Sequence, residues 1–106
     1  MDMVQGRGAA GVTEVGRPLD VLRARAERKA RQRAMDELIS NVLDTRGQDL
    51  TQKQRKSLTA RVEDVAGSKE ALWQTSYWTN GAVTTTVLIR ISDLGPPGKV
   101  HEKEEK

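Results

Sequence analysis

The chain has no cysteine, no phenylalanine, one histidine and three aromatic residues among 106. Without cysteine it forms no disulfide and no thiolate metal site, and the redox compartment stays open. The lone histidine, His101, lies in the charged stretch 99–106. A catalytic or ligating imidazole needs oriented partners, and that stretch offers none. No segment approaches the roughly 20 apolar residues of a membrane-spanning helix. Met1 is not followed by a charged and then apolar pattern, so no export signal is expected within these residues.

What remains suits one modest domain. Apolar residues make up 36% of the chain, so the core must come from Leu, Ile, Val, Met and Ala. The three aromatics, Trp73, Tyr77 and Trp78, fall within six residues of one another. Net charge is only +3, from 18 basic and 15 acidic residues. Its distribution is uneven. Arg17, Arg23, Arg25, Arg28, Lys29, Arg31 and Arg33 stand against Asp20 and Glu27, a local excess of +5. Such a patch suits phosphates, anionic lipid or an acidic protein, or simply a solvated helix face.

Residues 1–16 hold four glycines, and Met3-Val4-Gln5 and Val12-Thr13-Glu14-Val15 are short strand candidates. Glycine in a strand marks a bulge or a close backbone approach, so one irregular strand is expected here. Pro18 opens a helix without cost to its hydrogen bonding. From Leu19 to about Thr45 no Gly or Pro interrupts the pattern. Leu22, Ala26, Ala30, Ala34, Leu38 and Val42 form an i, i+4 row. Met35, Ile39 and Leu43 widen its second half, which predicts that half as the buried one. The basic half is expected to be peripheral, its alanines permitting close approach to a sheet or another helix. Arg46-Gly47 reads as a basic last turn with a glycine cap. Thr51, preceded by Leu50, is placed to cap a second helix running to about Ala66, with Leu58, Val62 and Val65 at helical spacing.

Ala71–Ile91 reads as a hairpin about Asn80-Gly81. A two-residue turn pairs Trp78 with Val83, Leu72 with Ile89 and Trp73 with Leu88. One face then carries Leu72, Trp78, Val83, Thr85, Val87, Ile89 and Ile91 and is the expected core face. The other carries Trp73, Thr75, Tyr77, Thr84, Thr86, Leu88 and Arg90. This register predicts a buried Trp78, whose replacement by Ala would cost about 3–5 kcal/mol. Gly95-Pro96-Pro97-Gly98 ends the strand. The boundaries are therefore a single α+β domain over 1–95 and a charged, disordered tail over 96–106.

No catalytic, cofactor or metal constellation emerges. Gly6-x-Gly8-x-x-Gly11 matches a dinucleotide fingerprint only formally, because Val12–Pro18 separates it from the helix. Asp36 and Glu37 project about 100° apart, as do Glu63 and Asp64, so neither pair converges on a substrate. Binding is the expected chemistry. Trp73, Tyr77 and Leu88 on an open sheet face, with Arg23, Arg28 and Arg31 on the basic helix, are the candidate partner-binding residues. A protein partner, or a second copy joined at a sheet edge, is expected. A nucleic-acid ligand on the basic helix is the alternative, though no KH-type clamp or RNP aromatic pattern accompanies it.

The order of elements also resembles a known group. A glycine-bearing strand leads into Arg23–Leu38 with its alanine spacing. A second helix follows, then a strand ending Tyr77-Trp78 and the turn Trp78-Thr-Asn-Gly-Ala-Val83. This is similar to the LPP-type bacterial envelope lipoproteins and to the N-terminal domain of flagellar assembly protein T. The resemblance spans about Val4 to Leu94. It implies a βααββ domain without enzymatic activity, acting through protein contacts in cell-envelope or flagellar assembly. The chain differs from that group in its basic first helix and in having no lipobox cysteine. A location in the periplasm or at the outer membrane is expected if these residues are part of an exported protein, and in the cytoplasm otherwise. The expected fold is α+β: a three-stranded antiparallel sheet with two helices packed on one face.

Overall fold

The computed structural model describes residues 3–11, 18–46, 49–79 and 81–95. Val12–Val15, Gly47, Asn80 and 96–106 lie outside the described residues. The second short strand, the helix cap, part of the turn and the disordered tail expected there lie outside them too.

The architecture is α+β, in the order read from the sequence. Strand β1 spans Met3–Ala10, helix α1 Leu19–Arg46, helix α2 Gln52–Ala66, strand β2 Leu72–Tyr77 and strand β3 Val83–Arg90. A 3-10 turn, Ile91–Leu94, follows β3. The sheet is antiparallel throughout, in the order β1-β3-β2. Among the described residues, no helix is long and apolar enough to cross a membrane.

Helix α1 lies directly on β1, and the glycines explain how. A methyl added to Gly6 would stand 2.6 Å from Leu38 N and nearer still to Ala34 O. One added to Gly8 would meet Ala30 O and Ala34 N in the same way. Helix backbone therefore touches strand backbone, with alanines on one side and no side chain on the other. This close approach overturns the expected division of α1. The row Leu22, Ala26, Ala30, Ala34, Leu38, Val42 is buried along its whole length, the basic half included. Alanine buries little area itself, but it brings the helix axis down to the sheet.

Helix α2 begins with a reciprocal cap. Thr51 Oγ1 accepts from the Gln54 N–H at 3.2 Å, and Gln54 Oε1 accepts from the Thr51 N–H at 2.9 Å. Such a cap contributes about 1 kcal/mol. The helix turns Leu58, Val62, Val65 and Ala66 toward Leu38 and Val42 of α1 and toward Val4, Val87, Ile89 and Leu94. A smaller cluster of Ala10, Ala26, Ala30 and Val83 continues the core under the basic half of α1.

Strand β3 alternates as expected, with Val83, Thr85, Val87 and Ile89 buried. Strand β2 does not follow the expected register. Tyr77 pairs with Val83, Trp73 with Val87 and Leu72 with Leu88. The Trp78 N–H donates to Ala82 O at 2.9 Å, and the Gly81 N–H donates to Trp78 O at 3.0 Å. Gly81 has φ +90°. The loop thus has three residues, 79–81, with the glycine supplying the left-handed last position. The extra residue shifts β2 by one and exchanges its faces. Trp73, Thr75 and Tyr77 lie on the helix side. Leu72 and Trp78 lie on the open side, 63% and 56% exposed. The expected burial of Trp78 is therefore wrong, and so is the large cost assigned to its removal.

A candidate interaction edge and its arginine-aromatic row

Both outer strands of a three-stranded sheet carry a row of backbone groups that the sheet leaves unpaired. In an antiparallel pair, alternate residues bond to the partner strand and the others point away. The Trp78–Ala82 bond places the even-numbered residues of β2 in the bonded set. Trp73, Thr75 and Tyr77 therefore present their N–H and C=O groups to the β2 edge. By the same alternation, β3 offers its odd residues to β1. Gln5, Arg7 and Ala9 then face outward at the opposite edge.

The two edges are treated differently. At the β1 edge, α1 supplies one partner to each of the three outward residues. Asn41 Nδ2 donates to Gln5 O at 2.6 Å, the Arg7 N–H donates to Glu37 Oε1 at 3.0 Å, and Arg33 Nη1 donates to Ala9 O at 2.6 Å. Arg33, Glu37 and Asn41 are spaced by four, one position before the buried Ala34, Leu38 and Val42. They form a polar flank that folds over the strand. At the β2 edge, no described residue bonds to the outward backbone groups of Trp73, Thr75 or Tyr77.

No protein-family model, no curated protein and no solved structure matches the chain.

The helix side of β2 is lined by a second set of contacts. Arg31 lies over the Trp73 ring at 3.8 Å, and Arg23 lies over the Tyr77 ring at 5.6 Å. Both distances fall within cation-π range. Trp73 Nε1 donates to Ala66 O at 2.7 Å, anchoring β2 to the end of α2. The Tyr77 hydroxyl donates to Glu27 Oε2. Thr75 and Thr85 hydroxyls meet across the strands at 3.4 Å. These contacts form a row of side chains between β2 and the basic half of α1, with Arg31, Glu27 and Arg23 on the helix side. The hydrogen bond to Glu27 raises the Tyr77 pKa above 10.0, aided by desolvation and the Glu27 charge and opposed by Arg23.

Of the six residues singled out in the sequence, four converge here: Trp73, Tyr77, Arg23 and Arg31. They meet on the helix side of the sheet, not on its open face. Leu88 is on the open face, opposite Leu72 and on the other side of the sheet from these contacts. Arg28 is exposed, two positions from both buried Ala26 and Ala30, and so points away from the sheet. Glu27 and the capping set Arg33, Glu37 and Asn41 were not anticipated. The signal for the caps was the polar i, i+4 row beside the apolar one. The Gly6-x-Gly8 pair cannot cradle a phosphate, because α1 already occupies the space above it. Among the described residues, no group of three His, Cys, Asp or Glu side chains is placed to hold a metal.

Proposed function

We propose that this chain is a non-catalytic protein-interaction module that works in a bacterial cell-envelope or surface-appendage assembly. The observation that carries the interaction reading is the unequal treatment of the two sheet edges. Side chains of α1 bond to part of the outward backbone of β1, while among the described residues nothing bonds to the outward backbone of β2. Strand addition uses such an edge, with main-chain bonds giving affinity and neighbouring side chains giving selectivity. The assignment to an envelope or appendage assembly rests on the βααββ order and the Trp78–Val83 turn.

Photo-crosslinking in the native cells tests both parts. A photoreactive residue at Gln74, on β2, is expected to give adducts with envelope or appendage proteins. The same residue at Arg7, on the capped β1, is expected to give few. Equal labelling from both positions would count against the edge. Adducts dominated by nucleic acid would instead favour the basic helix as the working surface.

A further inference from the structure

The arginine-aromatic row beside β2 has a measurable repeat. Arg23 and Arg31 are eight residues apart on α1, a rise of about 12 Å. Tyr77 and Trp73, over which they lie, are four residues apart on β2, about 13 Å along a strand. The two spacings match. Arg31 and Arg23 therefore stand in step with Trp73 and Tyr77, with Glu27 between them on α1. Stacking on a ring face leaves the N–H edge of a guanidinium available, and each guanidinium has five such donors. Among the described residues, neither arginine spends them on a hydrogen bond or an ion pair. Glu27, between them, is held by the Tyr77 hydroxyl.

A strand added outside β2 would bond to the backbone of Trp73, Thr75 and Tyr77. Every second side chain would lie on the helix side, under this row of charge plus, minus, plus. We propose that the β2 edge takes an extended partner-protein segment of the form acid-x-neutral-x-acid, its two carboxylates set against Arg23 and Arg31. This rests on the reading of β2 as the interaction edge. The pattern is the same in either chain direction, so it applies to parallel and antiparallel docking alike. A second copy of the chain fits poorly, because Leu72–Tyr77 contains no acid. Nucleic acid also fits poorly, because a phosphate chain is charged at every residue and would meet Glu27.

Two labelled peptides of one composition test the proposal. One is Thr-Glu-Val-Thr-Val-Glu-Thr and the other Thr-Val-Glu-Thr-Glu-Val-Thr, titrated against the whole chain at low salt. The first is expected to bind about five- to tenfold more tightly, the effect of two partly exposed ion pairs. That preference should fall to about two- to threefold in Arg31→Gln and vanish when Arg23→Gln is added, with the fold checked by circular dichroism. A version of the first peptide N-methylated at alternate amides should lose binding without any change to the protein. Equal binding of the two peptides, abolished by N-methylation, overturns the acidic pattern and leaves the β2 edge reading intact. No binding of either at millimolar concentration overturns both. Dimerisation that excludes the peptides names a second copy as occupant and overturns the proposal. Steeply salt-dependent binding of single-stranded oligonucleotide that displaces the peptide overturns it as well.

Discussion

Gly6→Ala should be among the most damaging single-methyl changes in this protein. Ordinary contact begins at 3.4 Å, and the added carbon would fall short of it by about 0.8 Å at Leu38 N, and by more at Ala34 O. Both opposing atoms are backbone, so no rotamer change relieves the overlap. Either α1 or β1 must retreat. If α1 lifts, Leu38 and Val42 draw away from Val87 and Ile89, and a gap of 0.5–1 Å forfeits roughly a quarter to a half of each contact's attraction. If β1 withdraws, its ladder to β3 and its bonds to Glu37 and Asn41 stretch. Overpacking commonly costs about 1–3 kcal/mol, and this site belongs at or above the upper end. That is a large share of the roughly 5–15 kcal/mol holding a domain together. Urea unfolding followed by tryptophan fluorescence measures it. Gly11→Ala is the control, since nothing lies within 4 Å of its added carbon. Adding Ala34→Gly should not rescue Gly6→Ala, because the obstacle at that residue is its carbonyl. A loss below about 1 kcal/mol, or rescue by Ala34→Gly, would refute the backbone-on-backbone account.

Three further outcomes are expected. Trp73→Ala should cost about 3 kcal/mol, while Trp78→Ala should cost less than about 1 kcal/mol; the reverse order in denaturant midpoints would restore the two-residue turn. Glu37→Ala with Asn41→Ala uncovers the β1 edge. It should change stability modestly but raise self-association in light scattering, and an unchanged monomer would show that the caps do not guard that edge. Tyr77 should ionise above 10.0 in an ultraviolet titration, and Glu27→Gln should bring it down. Because the folded value is raised, the Tyr77–Glu27 contribution is complete below pH 10.0 and is lost as pH rises through the folded value.

Local chemistry made most of the fold legible. Thr51, preceded by Leu50, announced the start of α2, the i, i+4 row announced the buried side of α1, and the alternation of Val83 to Ile89 announced the covered side of the sheet. Strand β2 was ambiguous for a physical reason. Asn80-Gly81 satisfies a two-residue turn with glycine second and a three-residue loop with glycine last. Each side of β2 carries an aromatic residue, so hydrophobicity did not choose between them. The deciding contacts lie outside the hairpin: Ala66 O for Trp73, at the end of α2, and Glu27 for Tyr77, on α1. That Trp73, Tyr77, Arg23 and Arg31 meet one another depends on the same register, which composition alone does not reveal. The edge caps were hidden more deeply. Which residues of β1 face outward follows only from how β1 pairs with β3.

The helix side chains folded over β1 also set the valence of any assembly built by strand addition. A sheet with two open edges is a divalent unit, and each chain added exposes an edge for the next, so growth has no natural end. With Arg33, Glu37 and Asn41 bonded along one edge, the proposed strand addition would be monovalent: it would complete another protein's strand arrangement once and leave the β1 side a closed end rather than a template for a fibre.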